Sequence, residues 1–322
     1  MHEINLVADD PKNEGDDSGL SRRGALKCMV WAGTGILWTV SGGVPKSLGL
    51  IGDALAAVPT GFSFLQISDS HIGFNKPANP DALGTLREAI GKVKAVKFRP
   101  AFMIHTGDIT HLSRADEFDN AEQIISEAKL NVHYVPGEHD FVDEGVGKAY
   151  LDRYGKGTKG QGWYSFDDHG VHFIGLVNVV DLKAGGLGRL GADQLAWLAD
   201  DLKDKSASTP IVVFAHIPLW TVYADWGWGT DDGLQVLDLL KRFGSVTVLN
   251  GHIHQIVQKV EGSMTFHTAR STCFPQPAPG TAPSPGPMTV PADQLRSVLG
   301  ITSVDVRIGD RPLAITDTTL AE

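Results

Sequence analysis

The chain has 322 residues, of which 42% are hydrophobic and 20% charged, and its formal net charge is −10. This composition is typical of a globular protein and allows one large α/β domain or two smaller ones. No basic patch is visible, which argues against a nucleic-acid-binding protein, because phosphate backbones are bound by clustered Lys and Arg. We therefore expect small or neutral partners and no nucleic-acid binding.

The N-terminal segment has the pattern of an export signal. Arg22 and Arg23 precede an apolar but glycine-diluted run at 28–44, and the small residues at 54–56 offer a cleavage position. Paired arginines before a weakly hydrophobic run are typical of a twin-arginine signal, with a short amphipathic helix or a membrane anchor as the alternatives. We predict that the twin-arginine translocation machinery exports the folded chain to the periplasm or another extracytoplasmic space.

Residues 1–56 are accordingly predicted to be signal and leader, and residues 57–322 to form one domain with no membrane span. The domain retains a single cysteine, Cys273, so an intrachain disulfide is excluded even in an oxidising compartment. Export after folding is commonly used by proteins that load a cofactor in the cytoplasm. The signal therefore hints at a metal.

The domain alternates strands and helices, which predicts an α/β fold with parallel strands and right-handed crossovers in its first half. Strands are predicted at 62–67, from 102, at 131–135, 211–214 and 246–249, with a hairpin at 163–177 and short closing strands at 254–260, 264–268, 301–308 and 313–316. Helices are predicted at 80–96, 115–130, 191–202 and 234–243. The proline-rich segment 274–291 predicts a rim loop or lid.

Five of the predicted strands end in carboxylates or imidazoles. Ligands of open α/β sheets collect at the carboxyl ends of parallel strands, so these side chains should meet in one crevice. In chain order the groups are Asp69 and His71; Gly107 and Asp108; Gly137, Glu138, His139 and Asp140; His216; and Gly251, His252 and His254.

These groups, in this order, resemble the signature of the calcineurin-like metallophosphoesterases, a family that includes purple acid phosphatases and class III cyclic-nucleotide phosphodiesterases. The resemblance extends to about residue 254 and implies a four-layer α/β/β/α sandwich with two metal ions. The side-chain chemistry agrees independently. Imidazole and carboxylate ligands suit Fe, Mn or Zn, and one carboxylate can bridge two ions about 3.5–4 Å apart.

The resemblance also implies individual roles. One metal would be held by Asp69, His71, Asp108 and His254, and the other by Asp108, Glu138, His216 and His252, with Asp108 as the bridge. His139 would face the substrate, where it could stabilise the phosphoryl oxygen or protonate the leaving alcohol. Asp140 would orient His139.

One position departs from the family pattern, which usually has asparagine where this chain has Glu138. Glutamate can still offer an oxygen to a metal. Its longer side chain and its negative charge alter the second site, and this affects the expected metal identity and substrate preference more than the fold.

Two further groups allow two interpretations each. His111 follows the bridging position and could contact substrate or begin a solvated helix, while His105 could be a core histidine or support the site from behind. An aromatic cluster after His216 could form a wall for the organic part of an ester or simply pack its loop; it comprises Trp220, Tyr223, Trp226 and Trp228. The other histidines are predicted to be structural: His133, His169, His172 and His267.

The resemblance thus implies an exported hydrolase that cleaves a small-molecule phosphate ester through attack by a metal-bound hydroxide. Phosphodiesters are the first expectation and phosphomonoesters the alternative. A third hypothesis is a non-catalytic metal-binding or partner-binding protein on the same scaffold, with its site altered at Glu138.

Overall fold

The chain divides into two units, residues 1–59 and 60–322. In this computed structural model the described residues are 36–41 and 44–49, as backbone alone, and 61–143, 146–183, 185–307 and 313–322. In the first unit, β1 (Ile36–Ser41) and β2 (Val44–Gly49) pair antiparallel. Arg22, Arg23 and the predicted cleavage position lie outside the described residues, so the export signal stays a prediction.

The second unit contains two mixed sheets. The strands of the first sheet are β3 (Gly61–Ile67), β4 (Met103–His105), β5 (Val132–Tyr134), β12 (Gly300–Arg307) and β13 (Ala314–Thr319). They lie in the order β13-β12-β3-β4-β5. β3, β4 and β5 run parallel as predicted, whereas β12 joins β3 antiparallel.

The strands of the second sheet are β6 (Tyr164–Asp168), β7 (Val171–Gly175), β8 (Ile211–Phe214), β9 (Val246–Asn250), β10 (Gln258–Glu261) and β11 (Met264–Thr268). Their order is β10-β11-β9-β8-β7-β6. The predicted hairpin of β6 and β7 forms one antiparallel edge of the sheet. The four central strands, β7, β8, β9 and β11, run parallel.

Helices cover the outer face of each sheet. They are α1 (Ala82–Ala95), α2 (Ala115–Ser126), α3 (Lys148–Tyr154), α4 (Ala192–Leu202), α5 (Gly233–Leu240) and α6 (Leu295–Val298). Buried residues of α1 and α2 share a core with the first sheet, and those of α4 and α5 share one with the second.

Side-chain alternation along the strands produces the layers. On β3, Phe64 belongs to the core between the sheets, while Leu65 faces the helical core. On β8, Val212 belongs to the core between the sheets, while Val213 faces the helical core of the second sheet. Successive strand residues point to opposite faces, so apolar residues at adjacent positions bury both sides of a sheet. The predicted four-layer α/β/β/α arrangement is confirmed.

Differences from the predicted elements are local. The strand expected from residue 254 begins at Gln258, because the chain first turns through His252 and His254. Helices α3 and α6 were not predicted. The start of α3 is stabilised by Asp143, whose carboxylate accepts hydrogen bonds from the N–H groups of Gly147 and Ala149. Within the described ranges, no helix has the length and apolar character needed to cross a bilayer.

Candidate metal centre

The polar strand ends come from neighbouring parallel strands of both sheets. β3, β4 and β5 are adjacent in one sheet, and β8 and β9 are adjacent in the other. Their carboxyl ends lead into the loops that carry the predicted site residues, so the topology delivers these side chains to one region.

The loops bend sharply at the site residues themselves. Asp69, His71, Asp108, His252 and His254 have φ values of 53°, 41°, 51°, 69° and 52°. Positive φ is uncommon for residues with a Cβ, and such strain is typically found at functional sites, where surrounding contacts hold it in place. Here the strain turns the side chains inward at the strand ends.

Two glycines allow these loops to approach each other. Gly107 has φ of 94°, and a Cβ there would lie 2.5 Å from Nδ1 of His216. A Cβ on Gly137 would lie 2.1 Å from Oδ1 of Asp108. Larger residues at either position would therefore displace side chains of the site.

We name Asp69, His71 and His254 the first cluster. Their candidate ligand atoms lie within 4.8 Å of one another. Nε2 of His254 is 3.2 Å from Oδ1 of Asp69 and 3.2 Å from Nε2 of His71. All three residues are buried, so these polar atoms converge away from solvent.

Glu138, His216 and His252 form the second cluster, also within 4.8 Å of one another. Oε2 of Glu138 lies 2.8 Å from Nε2 of His216, and its Oε1 lies 3.0 Å from Nδ1 of His252. The Glu138 side chain is 26% exposed and that of His252 11%. The side chain of Glu138, the residue that departs from the family pattern, thus points into the site and not away from it.

Asp108 lies between the two clusters. Its Oδ2 is 3.4 Å from Nε2 of His71 and 3.4 Å from Nε2 of His216. Its Oδ1 accepts the backbone N–H of His139 at 2.9 Å. One carboxylate oxygen is held by the backbone while the other is shared between the clusters, as a bridging ligand requires.

Two histidines have their tautomers set by backbone carbonyls. Nδ1 of His216 donates to the carbonyl oxygen of Thr106 at 2.7 Å, and Nδ1 of His254 donates to that of Phe274 at 2.6 Å. A carbonyl only accepts, so whenever either ring is neutral its Nε2 presents a lone pair to the cluster. A carbonyl on the second ring nitrogen is typical of metal-ligating histidine.

The charged side chains of the centre are suited to binding cations. Within the described residues, the ion-pair contacts of Asp69, Asp108 and Glu138 are all with histidines. Burial raises the pKa of Glu138, but His252 and His216 outweigh it and hold this pKa well below its usual range. Burial lowers the pKa of His71 well below normal, which leaves a neutral ring.

One buried atom supports the same conclusion. Oε2 of Glu138 lies close to His216 but receives no hydrogen bond of acceptable geometry within the described structure. A buried carboxylate oxygen without a hydrogen bond is costly unless a cation satisfies it. Three carboxylates and four imidazoles are a donor set for Zn, Fe or Mn, so the residues present fit two metal ions.

His139 lies beside the clusters on the cavity side. Its Nδ1 donates to the carbonyl oxygen of His111 at 2.8 Å, which leaves Nε2 as the nitrogen that can exchange a proton with a ligand. Its ring stacks on the His111 ring at 4.7 Å. Burial lowers the pKa of His139, but Asp108 and Glu138 outweigh it and raise this pKa above normal.

The predicted role of Asp140 needs correction. Its carboxylate accepts the backbone N–H groups of Ile109, Thr110 and Gly137 at 3.1, 2.8 and 3.0 Å and makes no hydrogen bond to the His139 ring. Burial and the nearby charge of Asp108 together raise the pKa of Asp140 to about 7. Asp140 ties the loops after β4 and β5 together, and the carbonyl of His111 orients the His139 ring instead.

His105 supports the site from behind and is also a satisfied core histidine. Its Nδ1 accepts the N–H of Gly107 at 3.3 Å, so its Nε2 donates to Oγ of Ser70 at 2.9 Å. Burial lowers the pKa of His105 to about 3, so the ring is neutral. Oγ1 of Thr272 also bonds Ser70 at 3.1 Å. These hydroxyl contacts were not predicted, because Ser and Thr at such positions carry no spacing signal.

A cavity of about 640 Å³ opens onto the centre. His111 lines it, which favours the substrate-contact interpretation, as do Trp226 and Trp228. Trp220 does not; it packs on Phe266 at 4.8 Å in the core under the second sheet. Tyr223 packs on Trp226 at 5.1 Å and is also absent from the lining. Only half of the predicted aromatic wall therefore faces the cavity.

Phe274 and Phe74 were missed by the sequence analysis. The Phe274 ring lies 4.7 Å from that of His71 and 4.6 Å from that of His254, and Phe74 packs on it at 4.4 Å. Both line the cavity. Phe274 begins the proline-rich segment, whose residues 285–287 also line the cavity, as a rim loop would.

The four histidines predicted to be structural lie outside the cavity lining. His172 bridges Asp167 and Asp201 at 2.8 and 2.7 Å. His267 lies 3.1 Å from Asp317. The rings of His133 and His169 stack on Phe166 and Phe62 at 3.9 and 4.6 Å.

The chain matches the family model described as calcineurin-like phosphoesterase over residues 62–256, more than half of its length. A glycerophosphodiester phosphodiesterase, GpdQ, of Enterobacter lignolyticus is 25% identical over 59% of this chain and 69% of its own length. Purple acid phosphatase 23 of Arabidopsis thaliana is 28% identical over 39% of this chain and 29% of its own length. A dimetal phosphatase from Danio rerio shares the fold with a TM-score of 0.57 at 14% identity, covering 81% of this chain and 97% of that one.

Proposed function

This chain is a member of the calcineurin-like phosphoesterase family, and on that basis we propose that it hydrolyses small-molecule phosphate esters, phosphodiesters in preference to monoesters, at a dinuclear metal centre. The observation that carries the proposal is the position of Asp108, with one oxygen 3.4 Å from a histidine of each cluster. A carboxylate so shared fits two neighbouring cations.

The first cluster and Asp108 would hold one ion, and the second cluster and Asp108 the other. Bound there, the ions supply Lewis-acid polarisation of the ester and activation of a water molecule. In the net reaction, water oxygen joins phosphorus, the ester P–O bond breaks and the alcohol leaves with a proton. His139 would donate that proton through Nε2, because its Nδ1–H is held by the carbonyl of His111.

Glu138 supports the diester preference. Its carboxylate contacts both histidines of the second cluster, so its negative charge adds to those of Asp69 and Asp108 at the centre. Extra negative charge disfavours a monoester dianion more than a diester monoanion. The similarity to a glycerophosphodiester phosphodiesterase agrees with this preference.

Phosphomonoester hydrolysis is the second candidate. Lys76 and Lys183 line the cavity, which also contains the acidic Asp181. Two such cations would partly offset Glu138 and favour a dianion. A non-catalytic role is less well supported, because both clusters, Asp108 and His139 are all in place.

Metal analysis of the purified protein, together with turnover of 4-nitrophenyl phosphate and bis(4-nitrophenyl) phosphate, tests the proposal. We expect two metal ions per chain and a higher kcat/KM for the diester. A higher value for the monoester would favour the second candidate. Two bound metals without turnover of either ester would favour a non-catalytic protein.

We also propose that the chain is exported folded by the twin-arginine machinery, on the basis of Arg22, Arg23 and the apolar run that follows. Changing both arginines to lysine should leave the precursor in the cytoplasm, whereas a general secretory signal would tolerate the change. Fractionation of cells that express each form measures this. Normal delivery of the double-lysine form would refute the proposal.

A further inference from the structure

The mouth of the cavity exposes apolar side chains. Val142 and Val146 line the cavity and are 56% and 43% exposed, whereas most large apolar residues of the described structure are buried. Their exposure leaves apolar surface in contact with water, a cost that a bound apolar group would remove.

These valines are held in place. The N–H of Val142 donates to Oγ of Ser113, and that hydroxyl donates to the carbonyl of His139 at 2.9 Å. The N–H of Val146 donates to the carbonyl of Asp143, whose carboxylate also stabilises the start of α3. The backbone of Val142 is thereby linked through Ser113 to the proposed catalytic histidine, and that of Val146 to Asp143.

Val146 is also strained. Its φ is 49°, a value that a β-branched residue adopts rarely and at a cost. A Cβ on the next residue, Gly147, would lie 2.5 Å from the Phe141 ring, so the backbone at Gly147 closely approaches an aromatic side chain that also lines the cavity. Strain of this kind persists where the surrounding contacts fix it and is typical of ligand-binding segments.

The remaining cavity wall is partly apolar, and it also contains the polar side chains of Asp181 and Gln276. Leu182 and Trp226 line it together with the valines, while Lys76 and Lys183 are its cationic members. A volume of about 640 Å³ is in the range of cavities that bind drug-sized ligands and exceeds the space that a phosphoryl group alone needs. The cavity therefore suits a ligand with an anionic head and an apolar substituent.

From these observations we infer that the substrate is a phosphodiester with an aliphatic or aromatic substituent, which lies against Val142, Val146 and Phe141 while the phosphoryl group lies at the metal centre. This inference rests on the proposed function and narrows its substrate class. It distinguishes an apolar ester from a glycerol-type ester, whose hydroxyl groups would find no hydrogen-bonding partner on Val142, Val146 or Phe141.

A substrate series with a constant leaving group tests the inference. The metal-loaded protein is assayed with the methyl, butyl, octyl and glyceryl 4-nitrophenyl phosphodiesters. Each added methylene that becomes buried should raise kcat/KM about threefold to fourfold until the wall is covered. The glyceryl ester should react more slowly than the butyl ester.

Val142→Ser and Val146→Ser should each lower the octyl-to-methyl ratio of kcat/KM by roughly three- to tenfold. Val260→Ser is the matched control, because Val260 is 70% exposed on β10 and lies outside the cavity lining. It should leave the ratio unchanged.

Turnover of all esters with no dependence on chain length would overturn this inference and leave the proposed function intact. A dependence that survives both serine variants would also overturn it, because the apolar contact would then lie elsewhere. Absence of turnover with every ester would overturn the proposed function, and this inference with it.

Discussion

The two clusters of the candidate centre use similar side chains in different surroundings. The first cluster is buried throughout, with at most 2% of any residue exposed. In the second, only His216 is fully buried, while the side chains of Glu138 and His252 are 26% and 11% exposed. Both line the cavity, which in the first cluster only the buried His71 does. We infer that the first cluster holds its metal as part of the fold and that the second meets the substrate.

For Glu138, though not for His252, which follows β9 as His254 does, the difference follows from the topology. The first cluster comes from the ends of β3 and β9, which both have strand neighbours on each side. Glu138 follows β5, the edge strand of its sheet, on a single turn of 3-10 helix at Glu138–Asp140. Side chains after an edge strand have fewer neighbours to cover them. Glu138, the residue that departs from the family pattern, lies at this more exposed position.

The largest effect is expected at Asp108, the residue that both clusters share. Asp108→Ala should remove the bridge, reduce metal content at both positions and abolish nearly all activity. Asp167→Ala, at an exposed aspartate that contacts His172 and Lys205, is the control for loss of a carboxylate elsewhere. Two retained metals with near-normal turnover in Asp108→Ala would contradict the dinuclear assignment.

His139 separates chemistry from metal binding. His139→Ala should keep both metals and lower kcat by roughly 10²–10⁴, the usual range for loss of a general acid or base. Metal content and kcat are measured together, with His169→Ala as the control for a histidine outside the cavity. Loss of metal from His139→Ala would show that His139 is a ligand.

The clusters themselves can be compared by chelation. Metal should leave the wild-type protein in two phases, the faster one from the second cluster, because Glu138 and His252 are partly exposed whereas the first cluster is buried. His252→Ala should remove the fast phase and leave about one metal per chain, whereas His254→Ala should deplete the slow phase. A single phase of two metals in the wild type would show that the difference in burial has no consequence for binding.

In both clusters the sequence predicts the ligand residues but not the groups that orient them. Strand ends with Asp69, Asp108 and His216 could be recognised because buried strands leave an apolar run before the turn. The carbonyls of Thr106 and Phe274 that fix histidine tautomers could not, since a backbone group has no residue-type signal. For Trp220 both interpretations stayed open, because aromatic clusters near a site look alike in sequence whether they face the core or the ligand.

The same limit applied to the fold. The β3, β4 and β5 order followed from alternating strands and helices, which restrict the connections to a few topologies. The joining of β12 antiparallel to β3, more than two hundred residues apart in the sequence, depends on which edge is left uncovered when the chain returns. No local sequence pattern predicts that β12 pairs with β3.

The smallest expected effect concerns the charge of Glu138, which lies 2.8 Å from His216 and 3.0 Å from His252. Glu138→Asn removes one negative charge from the second cluster, and Glu138→Gln removes the same charge while keeping the side-chain length. With one unit less negative charge, a monoester dianion gains more attraction than a diester monoanion, so the monoester-to-diester ratio of kcat/KM should rise by roughly tenfold. Both variants should show the rise if charge is the cause. A rise in Glu138→Asn alone would assign the effect to side-chain length. An unchanged ratio in both variants at equal metal content would show that the second cluster does not select the substrate by charge.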